Sequence, residues 1–192
     1  MAELSEEKRG IDELLEKIPP EKCWEITTKA LWRFIVLRGD KTIAPELGKD
    51  EGVIAPVLGA EKWKEINDKI YDDAARQMFQ GFKEAFNIPV EDAIGAAKLV
   101  IVSGTLQTGP EYTPEIVEAT PERAVVTTTG CLIWDRYEEF EVNPEHRACD
   151  PACERFFDGG LKAVNPKLTF KHTRIMPWGD PYCEWLIKFK EE

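Results

Sequence analysis

The sequence predicts an α+β fold in which N-terminal helices pack against a C-terminal four-stranded antiparallel sheet of order ββαββ. Three observations carry this prediction. Apolar residues recur every three or four positions before residue 110. After Gly109-Pro110, alternating and β-branched runs replace that pattern. A cysteine-containing segment typical of a helix then separates two pairs of such runs. We therefore expect a helical region over residues 1–110 and a cysteine-bearing region over residues 111–192, which could also form one continuous domain.

The helical region is expected to contain four helices. Ser5 can cap the first helix, and Pro19-Pro20 ends it. The expected bounds are about 5–17, 21–37, 60–86 and 90–106. The last helix is the most apolar, and a buried strand over Lys98–Val102 is the alternative at that place. Its Gly95 and Gly104 would allow close helix packing.

Four strands are expected after residue 110, with one helix between the second and the third. Their approximate bounds are Ile116–Ala119, Ala124–Trp134, Leu168–Arg174 and Tyr182–Phe189. The helix begins at Pro144 or at Pro151, and Asp150-Pro151 is a good pair for a cap and a first turn. Gly159-Gly160 is expected to end it.

Composition limits the classes of partner and the cellular location that we expect. The net charge of −11 repels phosphate backbones and anionic lipid surfaces, so nucleic acid and membrane are not expected as partners. The N-terminus has no apolar stretch typical of a secretory signal, which favours a cytoplasmic location. The expected partner is a small-molecule ligand or substrate, and a homo-oligomer stays open.

The cysteines are concentrated in the second half of the chain. Cys131 lies late in a predicted strand, Cys149 and Cys153 lie in or just before the predicted helix, and Cys183 begins the last strand. In a reducing compartment, an odd number of cysteines indicates thiols or metal ligands rather than a disulfide framework.

A metal site is one interpretation of the pattern His146-x-x-Cys149-x-x-x-Cys153. If the helix starts at Pro144, these spacings place the three side chains on one face. Imidazole and thiolate ligands suit zinc or another soft divalent metal. The fourth ligand would be Cys183, with Cys131 or His172 as alternatives.

A nucleophilic cysteine is the second interpretation. Near a helix N-terminus, the helix dipole favours the thiolate of Cys149 or Cys153. His146 or His172 could act as the base, and Asp150 could orient it. The third interpretation has no site at all, with buried thiols and solvent-facing histidines.

The C-terminal stretch resembles a known family. Asn165–Arg174 and then Gly179–Trp185 give a strand, a glycine turn, and a cysteine followed by an acidic and an aromatic residue. This resembles the C-terminal signature of the L-2-amino-thiazoline-4-carboxylic acid hydrolase-like family. In the same comparison, Cys131 resembles the family's cysteine at the end of an earlier strand, and Cys149 or Cys153 resembles its mid-helix cysteine.

A related pattern is the vinyl-reductase-type ligand-binding domain, which also ends in a Gly-Asp-x-x-Cys turn. Its metal-binding members carry another cysteine four residues before that glycine, where this chain has Ile175. His172 lies near the position of an acidic ligand in that pattern and could substitute for it.

The resemblance implies two functions. The first is hydrolysis of a cyclic C–N bond in a thiazoline-carboxylate-like substrate, with His172 or His146 moving protons around a centre formed by Cys131, Cys149 or Cys153, and Cys183. The second is a small-molecule-binding or sensory module whose cysteines and histidine hold a metal. A subunit with no site of its own is a third possibility from the sequence. Trp134, Trp178 and Trp185 are expected to line an apolar pocket between helices and sheet.

Overall fold

A computed structural model of the chain describes residues 19–34, 60–141 and 152–190. The predicted helix at 5–17 and the predicted site residues His146 and Cys149 lie outside these ranges. In chain order the described elements are α1 (Pro20–Phe34), α2 (Ala60–Ala85), α3 (Ala93–Thr108), β1 (Pro114–Ala119), β2 (Arg123–Thr128), α4 (Leu132–Glu139), α5 (Glu154–Val164), β3 (Leu168–Arg174), a 3-10 turn (Met176–Trp178) and β4 (Cys183–Phe189). The predicted α+β class is confirmed.

The four described strands form one antiparallel sheet in the order β1-β2-β4-β3. The central strands β2 and β4 pair with Val126 opposite Trp185, while β3 pairs with β4 through Phe170 opposite Ile187. Alternation along β4 turns Trp185 and Ile187 toward the core, where both are buried. This sheet and its strand order along the chain agree with the prediction.

Helix α3 is the most buried of the described helices and packs against the sheet. Asp92 caps its start, where its side chain accepts a hydrogen bond of 2.8 Å from the Gly95 backbone N–H. Gly109 ends it with a φ of +84°, and its N–H donates to the Thr105 carbonyl over 2.8 Å. The helix prediction is therefore confirmed here, and the alternative strand over Lys98–Val102 is wrong.

One hydrophobic core lies between the helices and the sheet. It joins Phe79 of α2 and Leu99 of α3 to Leu161 of α5 and to the inward residues of β2 and β4. This core includes residues from both sides of residue 110, whereas the division into regions 1–110 and 111–192 stays a prediction. No helix in the described part of the chain is long and apolar enough to cross a membrane.

The second predicted strand, Ala124–Trp134, is wrong beyond Thr128. The Thr128 hydroxyl donates to the Gly130 carbonyl over 2.8 Å and closes a turn. A Cβ at Gly130 would lie 2.5 Å from the Glu111 carbonyl oxygen, so a larger residue would not fit this turn. Helix α4 begins directly afterwards, and Cys131 therefore lies at its N-cap rather than in a strand.

The predicted end of the cysteine-containing helix at Gly159-Gly160 is also wrong. Helix α5 continues through both glycines to Val164. A Cβ at Gly160 would lie only 2.3 Å from the ring of Phe79 on α2. Gly160 is therefore required for close packing between two helices and does not act as a terminator. Helix α5 starts at Glu154 within the described residues. Both predicted starts, Pro144 and Pro151, lie outside those residues, so the choice between them stays a prediction.

Candidate functional site

A cavity of about 620 Å³ lies between the helices and the sheet. Residues from all five described helices contribute to its wall, together with β2, β3, β4 and the turn before β4. Four tryptophans line it: Trp24 and Trp32 from α1, Trp134 from α4, and Trp185 from β4. Among the described lining residues there is no Asp, Glu, Lys or Arg. Its size and apolar wall are those of a small-molecule pocket.

A second hollow, of about 510 Å³, is lined by Lys83, Val90, Asn165, Phe189 and their neighbours. It contains none of the predicted site residues and is partly lined by charged side chains. The large apolar cavity is therefore the candidate site.

Three of the predicted cysteines meet at this cavity. Cys131 lies at the start of α4, Cys153 directly before α5, and Cys183 at the start of β4, and all three line the wall. The predicted residue His172, on β3, lines it as well. Residues far apart in the sequence are thus brought together, because the first turns of both helices and the β3–β4 hairpin face the same space.

The three predicted pocket tryptophans have different positions. Trp185 is 3% exposed and Trp134 is partly buried, and both line the cavity. Trp178 is 73% exposed and is not a lining residue. It lies in the 3-10 turn between β3 and β4, outside the alternation that turns Trp185 inward.

Two of the thiols are held in the neutral form. Burial raises the pKa of Cys183 to about 11, although the Met176 backbone N–H donates to its sulfur over 3.5 Å. Burial also raises the pKa of Cys131. Both shifts are opposite to the lowered pKa that a nucleophilic cysteine needs.

His172 lies at the sheet side of the cavity among aromatic rings. Its ring centroid is 5.6 Å from that of Phe170 and 6.4 Å from that of Trp185. Its backbone N–H donates to the Glu154 carboxylate over 2.8 Å, and its Nδ1 lies 3.7 Å from the same oxygen. Glu154 therefore positions both this part of β3 and the imidazole.

The predicted metal site is not supported by the described residues. Across residues 19–34, 60–141 and 152–190, no group of three or more His, Cys, Asp or Glu side chains is placed to hold a metal ion. Two of the four predicted ligands, His146 and Cys149, lie outside these ranges. Binding of zinc or another soft divalent metal thus stays a prediction.

Tyr112 is the lining residue that sequence reasoning missed. It is 8% exposed, and its ring stacks on Trp185 with centroids 6.1 Å apart and an interplanar angle of 22°. Its hydroxyl end lies against Gly104, where a Cβ would be 2.8 Å from the ring. The available signal was Gly104 itself, because a glycine inside an apolar helix marks a close approach, in this case by an aromatic ring.

Two polar atoms in the wall have no hydrogen-bond partner among the described residues. These are the Tyr112 hydroxyl and the Trp185 indole Nε1, both of them buried. Burial raises the pKa of Tyr112 well above its usual value, and the nearby Cys131, Cys153 and Cys183 add to that shift. The phenol therefore stays protonated and able to donate a hydrogen bond.

Comparison with known proteins finds a similar fold but no matching family. No family model matches the sequence, and no curated protein matches it. The resemblance to the thiazoline-carboxylate hydrolase-like family accordingly stays a prediction.

Two solved structures are similar to this one. The first is trafficking protein particle complex subunit 3 from Naegleria fowleri, covalently bound to palmitic acid, with a TM-score of 0.57 and 10% identity over 87% of this chain and 97% of that chain. The second is the phenol-responsive sensory domain of the transcription activator PoxR with phenol, with a TM-score of 0.48 and 12% identity over 84% of this chain and 72% of that chain. The first likeness shows a shared fold alone, and the second is too weak to carry a conclusion.

Proposed function

We propose that this chain binds a small apolar molecule in the cavity between its helices and its sheet. The observation that carries the proposal is the cavity itself, about 620 Å³ in size and lined by aromatic and aliphatic side chains. Pockets that bind drug-sized ligands have volumes of about 300–1,000 Å³ and mostly apolar walls. Desolvation of an apolar ligand in such a space supplies the binding free energy.

The chemistry of the wall favours binding over turnover. Hydrolysis by a cysteine needs a thiolate and a base that takes or gives a proton. The pKa values of Cys131 and Cys183 are raised, so both thiols are protonated at neutral pH. Hydrolysis of a cyclic C–N bond stays a prediction that would have to rest on Cys153 or on residues outside the described ranges.

The similar trafficking subunit was solved covalently bound to palmitic acid, an apolar ligand. At 10% identity that ligand cannot be assigned to this chain, and the lining residues alone support the proposal. A lipid-like ligand is nevertheless compatible with a cavity that thiols, aromatic rings and aliphatic side chains share.

The test is binding of N-phenyl-1-naphthylamine, an uncharged probe whose fluorescence rises in apolar surroundings. We expect a saturable increase with one site per chain. Ala74→Met, which places a flexible side chain in the cavity wall, should weaken binding about tenfold or more. Gln80→Met on the same helix is the matched control, because Gln80 is exposed and lies outside the cavity. A fluorescence signal that does not saturate would count against the proposal. Equal binding of the probe by Ala74→Met and Gln80→Met would count against it as well.

A further inference from the structure

From the two unpartnered donors in the cavity wall we infer that the ligand is an uncharged molecule with an oxygen acceptor, which the Tyr112 hydroxyl and the Trp185 indole N–H bind. This inference rests on the proposed function and specifies the ligand class. It assigns a specificity role to a stacked pair of rings rather than to the cysteines.

The first step is the polarity of the two atoms. An indole N–H is a donor only, and a protonated phenol donates one hydrogen bond. Within residues 19–34, 60–141 and 152–190 neither atom has a partner, and each belongs to a residue that is at least nine-tenths buried. Burial of a donor without an acceptor is unfavourable, and more than nine in ten such groups in proteins are paired. An acceptor is therefore what this part of the wall lacks.

The second step is that the two donors belong to neighbouring rings in one cavity wall. The rings of Tyr112 and Trp185 are nearly parallel and 6.1 Å apart between centroids, and both line the same cavity. Because the two atoms are themselves buried, a ligand oxygen reaches them only when the side chains turn slightly toward the cavity. Gly104 packs against the hydroxyl end of Tyr112, so the ring has room to turn only away from α3.

The third step is the charge of the ligand. None of the lining residues in the described part of the chain is an acidic residue, a lysine or an arginine. An ionised carboxylate in this space would lose its hydration and meet no lysine or arginine, and the imidazole of His172 in the wall already faces the Glu154 carboxylate over 3.7 Å. Burial of such a charge is strongly unfavourable. A carbonyl, ether or hydroxyl oxygen can accept hydrogen bonds from the two donors without the cost of burying a charge. The wall therefore discriminates against the carboxylate that a thiazoline-carboxylate-like substrate would carry.

The experiment uses three naphthalenes of similar shape: 2-acetylnaphthalene with a carbonyl acceptor, 2-ethylnaphthalene without one, and 2-naphthoate with a negative charge. Their Kd values are measured on the full chain at pH 7 by displacement of N-phenyl-1-naphthylamine. We expect the ketone to bind the wild type about a hundredfold more tightly than the naphthoate.

Two variants remove one donor each and keep an aromatic ring, namely Trp185→Phe and Tyr112→Phe. Each is expected to weaken binding of the ketone about tenfold more than binding of the hydrocarbon, because only the ketone loses a hydrogen bond. Trp32→Phe is the matched control, since Trp32 also lines the cavity but already donates its N–H to the Gln107 carbonyl over 2.6 Å. It should leave the ratio of the ketone and hydrocarbon Kd values unchanged.

The outcomes separate the two proposals. If the hydrocarbon binds but neither donor variant changes the ratio of ketone to hydrocarbon affinity, the acceptor inference is overturned and the proposed function stands. Tight binding of the naphthoate, equal to that of the ketone, would overturn the inference of an uncharged ligand. If N-phenyl-1-naphthylamine itself does not bind the wild type saturably, the proposed function fails. If the probe binds but none of the three naphthalenes displaces it, the acceptor inference alone is overturned. Tyr112→Phe keeps the test decisive should Trp185→Phe fail to fold.

Discussion

The Asp158 carboxylate on α5 accepts a hydrogen bond of 3.1 Å from the backbone N–H of Phe170 on β3. Four residues earlier on the same helix, Glu154 accepts from the backbone N–H of His172 over 2.8 Å. Four residues of helix rise about 6 Å, and two residues of strand span about 6.6 Å. The spacing of the two carboxylates along α5 therefore matches the spacing of two successive outward N–H groups along β3, which is an edge strand of the described sheet.

Loss of the Asp158 carboxylate should destabilise the fold. Asp158→Ala leaves the Phe170 N–H without its acceptor and is expected to lower the free energy of unfolding by about 1–3 kcal/mol. Asp158→Asn retains an acceptor oxygen and should lower it by less, about 1 kcal/mol. Urea denaturation measures both. Asp73→Ala is the control, because the Asp73 side chain is 49% exposed and pairs with Lys69 on its own helix. Equal stability of Asp158→Ala and Asp73→Ala would contradict this assignment.

The two adjacent glycines of α5 should respond oppositely to the same substitution. Gly160→Ala places a methyl group 2.3 Å from the Phe79 ring and should lower the free energy of unfolding by about 1–3 kcal/mol. At Gly159 the nearest atom to a new Cβ is 3.9 Å away, so Gly159→Ala should raise it by about 0.5–1 kcal/mol through helix propensity. Thermal and urea unfolding of the two variants are the measurements. A stabilising Gly160→Ala would show that the contact between α2 and α5 is looser than described.

The partly buried Cys183 thiol should make the fold less stable at alkaline pH. Its pKa is raised from 9.0 to about 11, so the unfolded thiol loses its proton first as pH rises. The free energy of unfolding should therefore fall between pH 9 and pH 11, by up to about 1.4 kcal/mol per pH unit from this group. Urea unfolding under reducing conditions measures the slope. Cys183→Ala lacks the group and should show a flatter pH dependence, whereas identical slopes would refute the assignment.

The ion pair between α2 and α5 should add modestly to the free energy of unfolding, and only above acidic pH. Arg155 donates to Asp72 from Nε over 2.8 Å and from a terminal nitrogen over 2.6 Å, and the same pair lowers the pKa of Asp72. Since both side chains are more than a third exposed, the pair is worth about 0.2–1 kcal/mol.

That contribution is present above the unfolded pKa of Asp72, near 3.8, and is lost as pH falls through its lower folded value. A double-mutant cycle with Arg155→Gln and Asp72→Asn at pH 7 and at pH 2.5 isolates it. A coupling energy that is equal at the two pH values would argue against an ionic interaction.

The sequence predicted the elements whose patterns are local. The helical spacing before residue 110 and the alternation in Leu168–Arg174 depend on neighbouring residues. The described helices before residue 110 start or end within a few positions of the predicted bounds, and the strand Leu168–Arg174 has the predicted bounds. The prediction failed at Gly159-Gly160 and after Thr128. At Gly160 the Phe79 ring leaves no room for a side chain, and at Gly130 the Glu111 carbonyl leaves none. Neither contact is visible in the residues next to the glycine.

The candidate site was predicted in part for the same reason. Cys131, Cys153 and Cys183 stand out by residue type, and they line one cavity. Tyr112 carries no motif, and its importance comes from stacking on Trp185, 73 residues later in the chain. The pKa directions of the thiols depend on burial, which residue spacing alone does not determine.

The two edge strands of the described sheet, β1 and β3, are both protected against the addition of a strand from another copy of the chain. Along β1 a proline at the first position, a bulge between Ile116 and Glu118, and the exposed Glu115 interrupt the free edge. Along β3 the carboxylates of α5 already hold the N–H groups that a foreign strand would need. Fibre-like growth by strand addition is thus disfavoured at both edges of the described sheet.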